Sequence, residues 1–177
     1  NGYSKADREA GGNGYMPISL QLKDYTATEA RAQSIAAGDP VVDPTITNRS
    51  YLNKTSKSNS FSDLNTILET KKAMNGKPVL VAVTVSNPMV FGEFEKEVDA
   101  IVGEFGVQTE ALLDIVSGKT EPSGLLPLQM PIDMTTVEKQ LEDVPHDMIP
   151  YRDSNGNVYD FGFGLNWKGI IKDDRTE

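Results

Sequence analysis

The chain has 177 residues, of which 38% are hydrophobic and 24% charged, which is enough for one domain with a hydrophobic core. Its formal net charge is −9 and its 17 basic residues are scattered, which argues against a nucleic-acid partner. The absence of cysteine excludes disulfides and thiolate metal sites, and no apolar run approaches the roughly 18 residues of a membrane span. We expect a single domain over residues 1–177 with no cofactor, no metal and no membrane partner. The compartment stays open between the bacterial cytoplasm and secretion.

Residues 1–59 are predicted to form a loop-rich insertion, because they are rich in Gly, Asn, Pro and hydroxyl residues without sustained periodicity. One short helix is expected there, since Thr26-x-x-Glu29 has the form of a capping box and small residues follow as far as Ala37. The first residues have neither an apolar signal region nor an initiator methionine, so we expect a piece of a larger protein.

Residues 60–177 are predicted to hold the sheet and the helices. Ser60-x-x-Asp63 can cap a helix whose apolar residues form one stripe before Gly76 ends it. The run 78–86 is apolar on both faces and rich in β-branched residues, which is typical of a parallel strand covered on both sides.

A second strand and a second helix follow in the same alternation. The pattern predicts a strand over residues 98–105 and a helix over 109–116, with Gly118 as the residue after the helix cap. Helices that alternate with strands indicate an α/β fold with a parallel sheet and right-handed crossovers.

A C-terminal hairpin is predicted by the pair Asn155-Gly156, which favours a type I′ turn with positive φ at both residues. The same stretch has acidic and amide side chains at Asp153, Asn155 and Asn157, as a calcium loop would. Its glycine stands at the fourth place rather than the sixth and Leu165 occupies the twelfth, so we favour the turn.

Several blocks in the second half of the chain resemble a known family. They are Lys77–Pro88, Val98–Val102, Ala111–Gly118, the Glu-Pro-Ser-Gly-Leu-Leu-Pro block at 121–127 and the Phe-Gly-Phe-Gly-Leu block at 161–165. Their order resembles the C-terminal α/β sandwich of glycoside hydrolase family 3, the β-glucosidase-like enzymes. The resemblance implies a three-layer sandwich, a mostly parallel sheet flanked by helices, plus the hairpin.

The resemblance also implies a function that this chain does not complete alone. Family members pair the sandwich with an N-terminal barrel that supplies an aspartate nucleophile, and act on β-glucosides or oligosaccharides. A loop of the sandwich supplies the acid/base carboxylate in many of them, and Asp39 and Asp43 lie in the corresponding region. Arg49 stands nearest to the family's Asp-Arg pair and is the candidate substrate-binding residue, although no Gly-Glu precedes it. The two aspartates also fit ordinary turns beside Pro40 and Pro44.

A second hypothesis is that the chain is a stand-alone α/β module, which binds carbohydrate or another partner without hydrolysis. It stays open because a fold does not determine a function. A Ser-His-Asp hydrolase is disfavoured, since no Gly-x-Ser-x-Gly elbow is present. Three aromatic residues either stack on a sugar ring or pack in the core: Tyr151, Tyr159 and Trp167. We expect the surface that faces the barrel to include Tyr15, Met16, Ile18, Tyr25, Met89, Val90 and Phe91.

Overall fold

A computed structural model describes residues 19–28, 53, 55–58, 60–141 and 144–176. Its helices are α1 (Phe61–Ala73), α2 (Thr109–Val116) and α3 (Met134–Lys139), with a 3₁₀ turn at Glu95–Glu97. Its strands are β1 (Tyr25–Thr26), β2 (Thr55–Ser56), β3 (Leu80–Thr84), β4 (Ala100–Glu104), β5 (Leu165–Asn166) and β6 (Gly169–Ile170). Within these described ranges, no helix has the length and apolar character that crossing a bilayer requires.

The described residues divide into two compact units. The first contains the residues up to Asp63 together with Asp133–Ile149, and the second contains Leu64–Ile132 and the chain from Pro150 onward. The helix expected between Thr26 and Ala37 falls mostly outside the described residues.

In the first unit, β1 and β2 form a short antiparallel pair with Tyr25 opposite Ser56. Asp24 supports this pair, because its carboxylate accepts hydrogen bonds from Ser58 N at 2.8 Å and Lys57 Nζ at 3.0 Å. The bond from Ser58 N–H, followed by that from Lys57, lowers the pKa of the Asp24 carboxyl.

Helix α3, also in the first unit, was not expected from the sequence. The Asp133 side chain caps it by accepting a hydrogen bond from Thr136 N at 2.8 Å. Met134 and Thr136 are buried. An Asp before a short run with hydroxyl residues was the available signal, but six residues are too few for periodicity to emerge.

Helix α1 occupies the predicted segment. It ends where Asn75 and Gly76 adopt positive φ values of 47° and 86°. Of the predicted apolar stripe, Leu64 is buried, whereas Phe61 is exposed.

The second unit contains the predicted parallel pair, in which Leu80 of β3 lies opposite Ala100 of β4. Asp99, which lies just before β4, links this strand pair to α1. Its carboxylate accepts hydrogen bonds from Lys71 Nζ of α1 at 2.6 Å and from Val79 N, just before β3, at 2.8 Å. The α/β character is therefore confirmed. The three-layer arrangement with a mostly parallel sheet stays a prediction, since the described residues hold one parallel pair.

The expectation that β3 is covered on both faces is wrong for the described residues. Exposed and half-buried positions alternate along it, and Leu80 is 41% exposed. Only the flanking Val79 and Val85 are buried. The described part of the chain therefore leaves apolar side chains of β3 partly exposed to solvent.

Helix α2 has the predicted bounds, and its C-terminus is a Schellman motif. Gly118 has a φ of 75° and its N–H donates to Ile115 O, while Lys119 N–H donates to Asp114 O. The side chain of Leu113 in helix α2 is exposed.

The hairpin is present, but its turn type differs from the prediction. Arg152 and Val158 form an antiparallel bridge, Gly156 N donates to Asp153 O, and Asp153 N donates to Asn157 O. Gly156 alone has positive φ, at 87°. This is the three-residue loop in which a type I turn is followed by a left-handed glycine, and not the type I′ turn.

The residues expected to face a barrel are not exposed in the part of the chain that the structure describes. Val90 and Phe91 are buried, which makes them core residues, and Met89 and Tyr25 are half-buried. Tyr15, Met16 and Ile18 lie outside the described residues. The loop after β3 is therefore not an exposed apolar patch.

Replacement of Gly156 by valine is expected to lower the free energy of unfolding by about 1 kcal/mol or more, because a β-branched residue is strained at this φ. The measurement is the urea midpoint of the two proteins. Gly156→Asn is the control, since asparagine tolerates the left-handed region and should retain most of the stability. Equal midpoints for the valine and asparagine variants would contradict the turn assignment.

Candidate functional site

The candidate catalytic residues Asp39 and Asp43 and the candidate substrate-binding residue Arg49 lie outside the described residues. Their roles stay predictions. The buried carboxylates among the described residues, Glu95 and Asp153, belong to the second unit.

An aromatic cluster forms the centre of that unit. The rings of Phe91 and Tyr159 meet edge to face at 5.3 Å between centroids, as do those of Tyr151 and Tyr159 at 5.4 Å. Tyr159 also stacks on Phe163 at 5.3 Å, and Phe94 lies 5.7 Å from Phe91. Tyr151 is buried and Tyr159 half-buried in this cluster, so they pack as core residues, and neither is a freely exposed sugar-stacking ring.

Glu95 places a carboxylate inside this cluster and is only 7% exposed. Its Oε2 accepts a hydrogen bond from the Tyr151 hydroxyl at 3.0 Å, and its Oε1 accepts from the Ser154 hydroxyl at 2.9 Å and the Ser154 N–H at 3.4 Å. Burial, and then the bond to Glu95, raises the pKa of Tyr151 far above its ordinary value. Glu95 therefore ties the 3₁₀ turn to the hairpin.

Asp153 is the second buried carboxylate, and it organises the hairpin turn from within. Its Oδ1 accepts hydrogen bonds from Asn155 N at 2.9 Å and Asn157 N at 2.8 Å, and its Oδ2 accepts from Asn157 Nδ2 at 2.8 Å. Burial and the nearby Asp153 charge raise the pKa of Tyr159. The carboxylate oxygens accept hydrogen bonds from N–H groups of the turn, which supports the turn interpretation over a calcium loop.

The sequence reasoning missed Glu95. The available signal was a Glu between Phe94 and Val98 in a segment rich in phenylalanine, because a charge buried there requires partners. Its contacts suit a positioning role for the hairpin, since Tyr151 and Ser154 both donate to the carboxylate and hold it in place.

Two of the five blocks that carry the family resemblance, 121–127 and 161–165, lie against each other. Leu126 N donates to Phe163 O at 2.7 Å, and Gly162 N donates to Leu126 O at 2.9 Å. Farther along, Met130 N donates to Tyr159 O at 2.9 Å. The segment from 124 to 130 is therefore paired with the segment from 159 to 164.

Gly164 lies at the closest approach of these blocks. A Cβ atom there would overlap the Gly124 carbonyl oxygen and would come within 2.9 Å of Leu125 Cδ2. Only glycine allows this backbone contact.

An open cleft of about 650 Å³ lies beside the same block. Its lining comprises Val158, Asp160, Phe161, Gly162, Phe163, Ile170, Ile171, Lys172, Asp173, Asp174 and Thr176. Arg175 forms an ion pair with Asp173 at 2.6 Å and lowers the pKa of Asp173 to about 2. The cleft has a size typical of small-ligand sites.

Comparisons with known proteins support the family resemblance seen in the sequence. Residues 24–167 match the glycosyl hydrolase family 3 C-terminal domain. The chain belongs to this family. The match includes both blocks that meet at Gly164, together with the parallel pair and the hairpin.

Relatives of this family 3 domain are much longer proteins. It is 34% identical over 104 residues to the probable beta-glucosidase C of Aspergillus flavus, covering 56% of the chain and 16% of the relative. It is 33% identical to beta-glucosidase C of Emericella nidulans, with the same two coverages. It is 30% identical over 88 residues to a periplasmic beta-glucosidase/beta-xylosidase of Dickeya chrysanthemi, covering 50% and 12%. No solved structure matches the chain significantly.

Truncation of Glu95 to alanine in the family 3 domain is expected to lower the free energy of unfolding by about 2 kcal/mol or more, because the Tyr151 hydroxyl loses its buried acceptor. Chemical denaturation measures the free energy of unfolding of the original and the variant proteins. Glu97→Ala is the matched control, since Glu97 is exposed on the same 3₁₀ turn and should cost little. If the two alanine variants were equally stable, Glu95 would not hold the hairpin.

Replacement of Gly164 by alanine is expected to cost about 2 kcal/mol, because the methyl group forces the two family blocks apart. Gly124→Ala tests the other side of the contact, where an added Cβ meets no atom within 4 Å. Thermal unfolding should therefore separate the two variants. A Gly164→Ala protein as stable as Gly124→Ala would show that the backbones do not touch.

Proposed function

We propose that this chain is the C-terminal domain of a retaining β-glycosidase, which hydrolyses O-glycosidic bonds of β-glucosides or oligosaccharides together with an N-terminal barrel. The observation that carries the proposal is the family match over residues 24–167. The relatives that match are named as beta-glucosidases, which favours this substrate class.

A barrel partner has two supports. The matched segment makes up 16% of the length of the Aspergillus flavus relative, so that protein holds much more than this domain. The apolar strand β3 is incompletely covered, and Leu80 is 41% exposed. In the proposed whole protein, further strands and helices complete the three-layer sandwich, and residues 1–177 form one C-terminal domain.

The proposed chemistry needs two carboxyl groups about 5–5.5 Å apart, one to attack the anomeric carbon and one to protonate the leaving oxygen. The barrel supplies the nucleophile. Asp39 or Asp43 supplies the acid/base group, and Arg49 binds the substrate. Glu95 and Asp153 are assigned to folding, because both are buried and held by donors within the domain.

The test is release of nitrophenol from nitrophenyl β-glucoside by the 177-residue chain and by the parent protein that includes a barrel. We expect no release by the chain above a heat-denatured control, and turnover by the parent. In the parent, removal of the acid/base group by Asp39→Asn or Asp43→Asn should slow poor leaving groups about 100-fold or more and spare activated ones.

Two outcomes would contradict the proposal. Turnover by the isolated chain would show that it holds both carboxylates. A parent without turnover that still binds oligosaccharides would favour the alternative, a non-catalytic carbohydrate-binding or interaction module.

A further inference from the structure

We propose that Asn75 is a site of spontaneous deamidation, at which the Gly76 nitrogen displaces ammonia from the Asn75 side chain. The product is an aspartate or isoaspartate residue in the connection between α1 and β3. Asn-Gly pairs are prone to this chemistry, because asparagine is thermolabile and glycine has no side chain to shield its nitrogen. The chain contains four such pairs, of which those at 75–76 and 155–156 lie within the described residues.

The Asn75-Gly76 pair follows α1, where both residues are exposed and have positive φ values of 47° and 86°. Lys77 N donates to Met74 O at 3.1 Å, so the pair forms the tip of a turn. Among the described residues, the Gly76 N–H has no hydrogen-bond acceptor, and a Cβ added to Gly76 would meet no atom within 4 Å. The Gly76 nitrogen is therefore available to the neighbouring side chain.

The Asn155-Gly156 pair is also exposed, but its glycine nitrogen is hydrogen-bonded. Gly156 N donates to Asp153 O at 3.1 Å, and Asn155 N donates to Asp153 Oδ1 at 2.9 Å. Attack of the Gly156 nitrogen on the Asn155 side chain would first have to break its bond to Asp153 O. The two pairs thus share exposure and differ in the hydrogen bond of the attacking nitrogen.

The reaction at Asn75 needs only hydroxide and water. Hydroxide removes the Gly76 N–H proton, and the positive charge of the next residue, Lys77, favours the resulting anion. The nitrogen forms a bond to Asn75 Cγ, and the Cγ–Nδ2 bond breaks as Nδ2 takes a proton from water and leaves as ammonia. A water molecule then opens the succinimide ring. Cleavage between the nitrogen and Cγ gives aspartate, and cleavage between the nitrogen and the Asn75 carbonyl carbon gives isoaspartate.

Isoaspartate at residue 75 would alter the connection between α1 and the parallel pair. The main chain gains a methylene group between Lys71 and Val79, whose Nζ and N–H are both held by the Asp99 carboxylate. Either product also places a carboxylate beyond the C-terminus of α1, where the helix dipole disfavours negative charge. We therefore expect the modified chain to unfold at a lower urea concentration.

The experiment is incubation of the 177-residue chain at mildly alkaline pH, in native buffer and in denaturing urea. Peptide mass spectrometry follows deamidation at each pair, and labelling by an isoaspartyl methyltransferase identifies isoaspartate. The ratio of the Asn75 rate to the Asn155 rate should be about fivefold higher or more in the native chain than in urea, because roughly one hydrogen bond protects Gly156. Urea removes that protection and leaves only the effect of the local sequence.

Two variants test the effect on stability. Asn75→Gly removes the reactive amide, and glycine adopts the positive φ of this position. Asn155→Gly is the matched control, because it removes the protected amide instead. Each protein is compared with its own sample before incubation in native buffer. The urea midpoint should fall for the original chain and for Asn155→Gly, and should be retained by Asn75→Gly.

Three results would overturn the proposal: the same ratio of rates in native buffer and in urea, an Asn75 that reacts in urea but stays unmodified in the native chain, or equal loss of midpoint by both variants. The pairs at residues 1–2 and 13–14 are common to all three proteins, so their modification does not separate the variants. Every readout is independent of nitrophenol release. Failure of the deamidation site and failure of the proposed hydrolase are therefore distinguishable.

Discussion

The backbone contact between Gly164 and the Gly124 carbonyl is the constraint on which the second unit depends. It allows the chain after the hairpin to lie directly against the segment that precedes α3, where Leu126 exchanges two hydrogen bonds with Gly162 and Phe163. Phe163 of this block belongs to the aromatic cluster, because it stacks on Tyr159, and it also lines the open cleft. Two of the sequence blocks that carry the family resemblance are thus two halves of one contact.

The buried Glu95 carboxylate adds a second, polar constraint. Removing a charge from water costs several kcal/mol unless donors replace the lost hydration, and here the donors come from Tyr151 and Ser154 of the hairpin. The 3₁₀ turn and the hairpin are far apart in sequence, so this carboxylate specifies how they meet. This position requires a hydrogen-bond acceptor, because an apolar residue here would leave the Tyr151 hydroxyl without one.

The sequence predicted the elements whose signals are local. The bounds of α1 and α2, the order of the two parallel strands and the left-handed glycines at 118 and 156 follow from periodicity and capping chemistry. The turn type was missed, because Asn155-Gly156 suits two hairpin geometries and Asp153 selects the longer loop through its bonds to the backbone. The burial of Val90 and Phe91 was missed for a different reason. Phe91 is covered by Tyr151 and Tyr159, which lie about 60 residues away in sequence.

The site was less accessible from sequence than the fold. The aspartates proposed as catalytic were chosen by resemblance, whereas the role of Glu95 emerges only when the distant Tyr151 is brought against it. Aromatic residues illustrate the difficulty, because Tyr151 is buried and Phe161 is 72% exposed, and residue type alone does not distinguish them.

The incomplete cover of β3 has a consequence for the isolated chain in solution. Among the described residues, β3 and β4 pair only with each other, so each keeps one edge of unpaired N–H and C=O groups. Such an edge is a template for adding a strand from another molecule, and the apolar Leu80 and Val81 make that addition favourable. The net charge of −9 opposes this self-association by mutual repulsion, and salt screens that repulsion. Raising the ionic strength is therefore expected to favour association of the isolated chain through this edge.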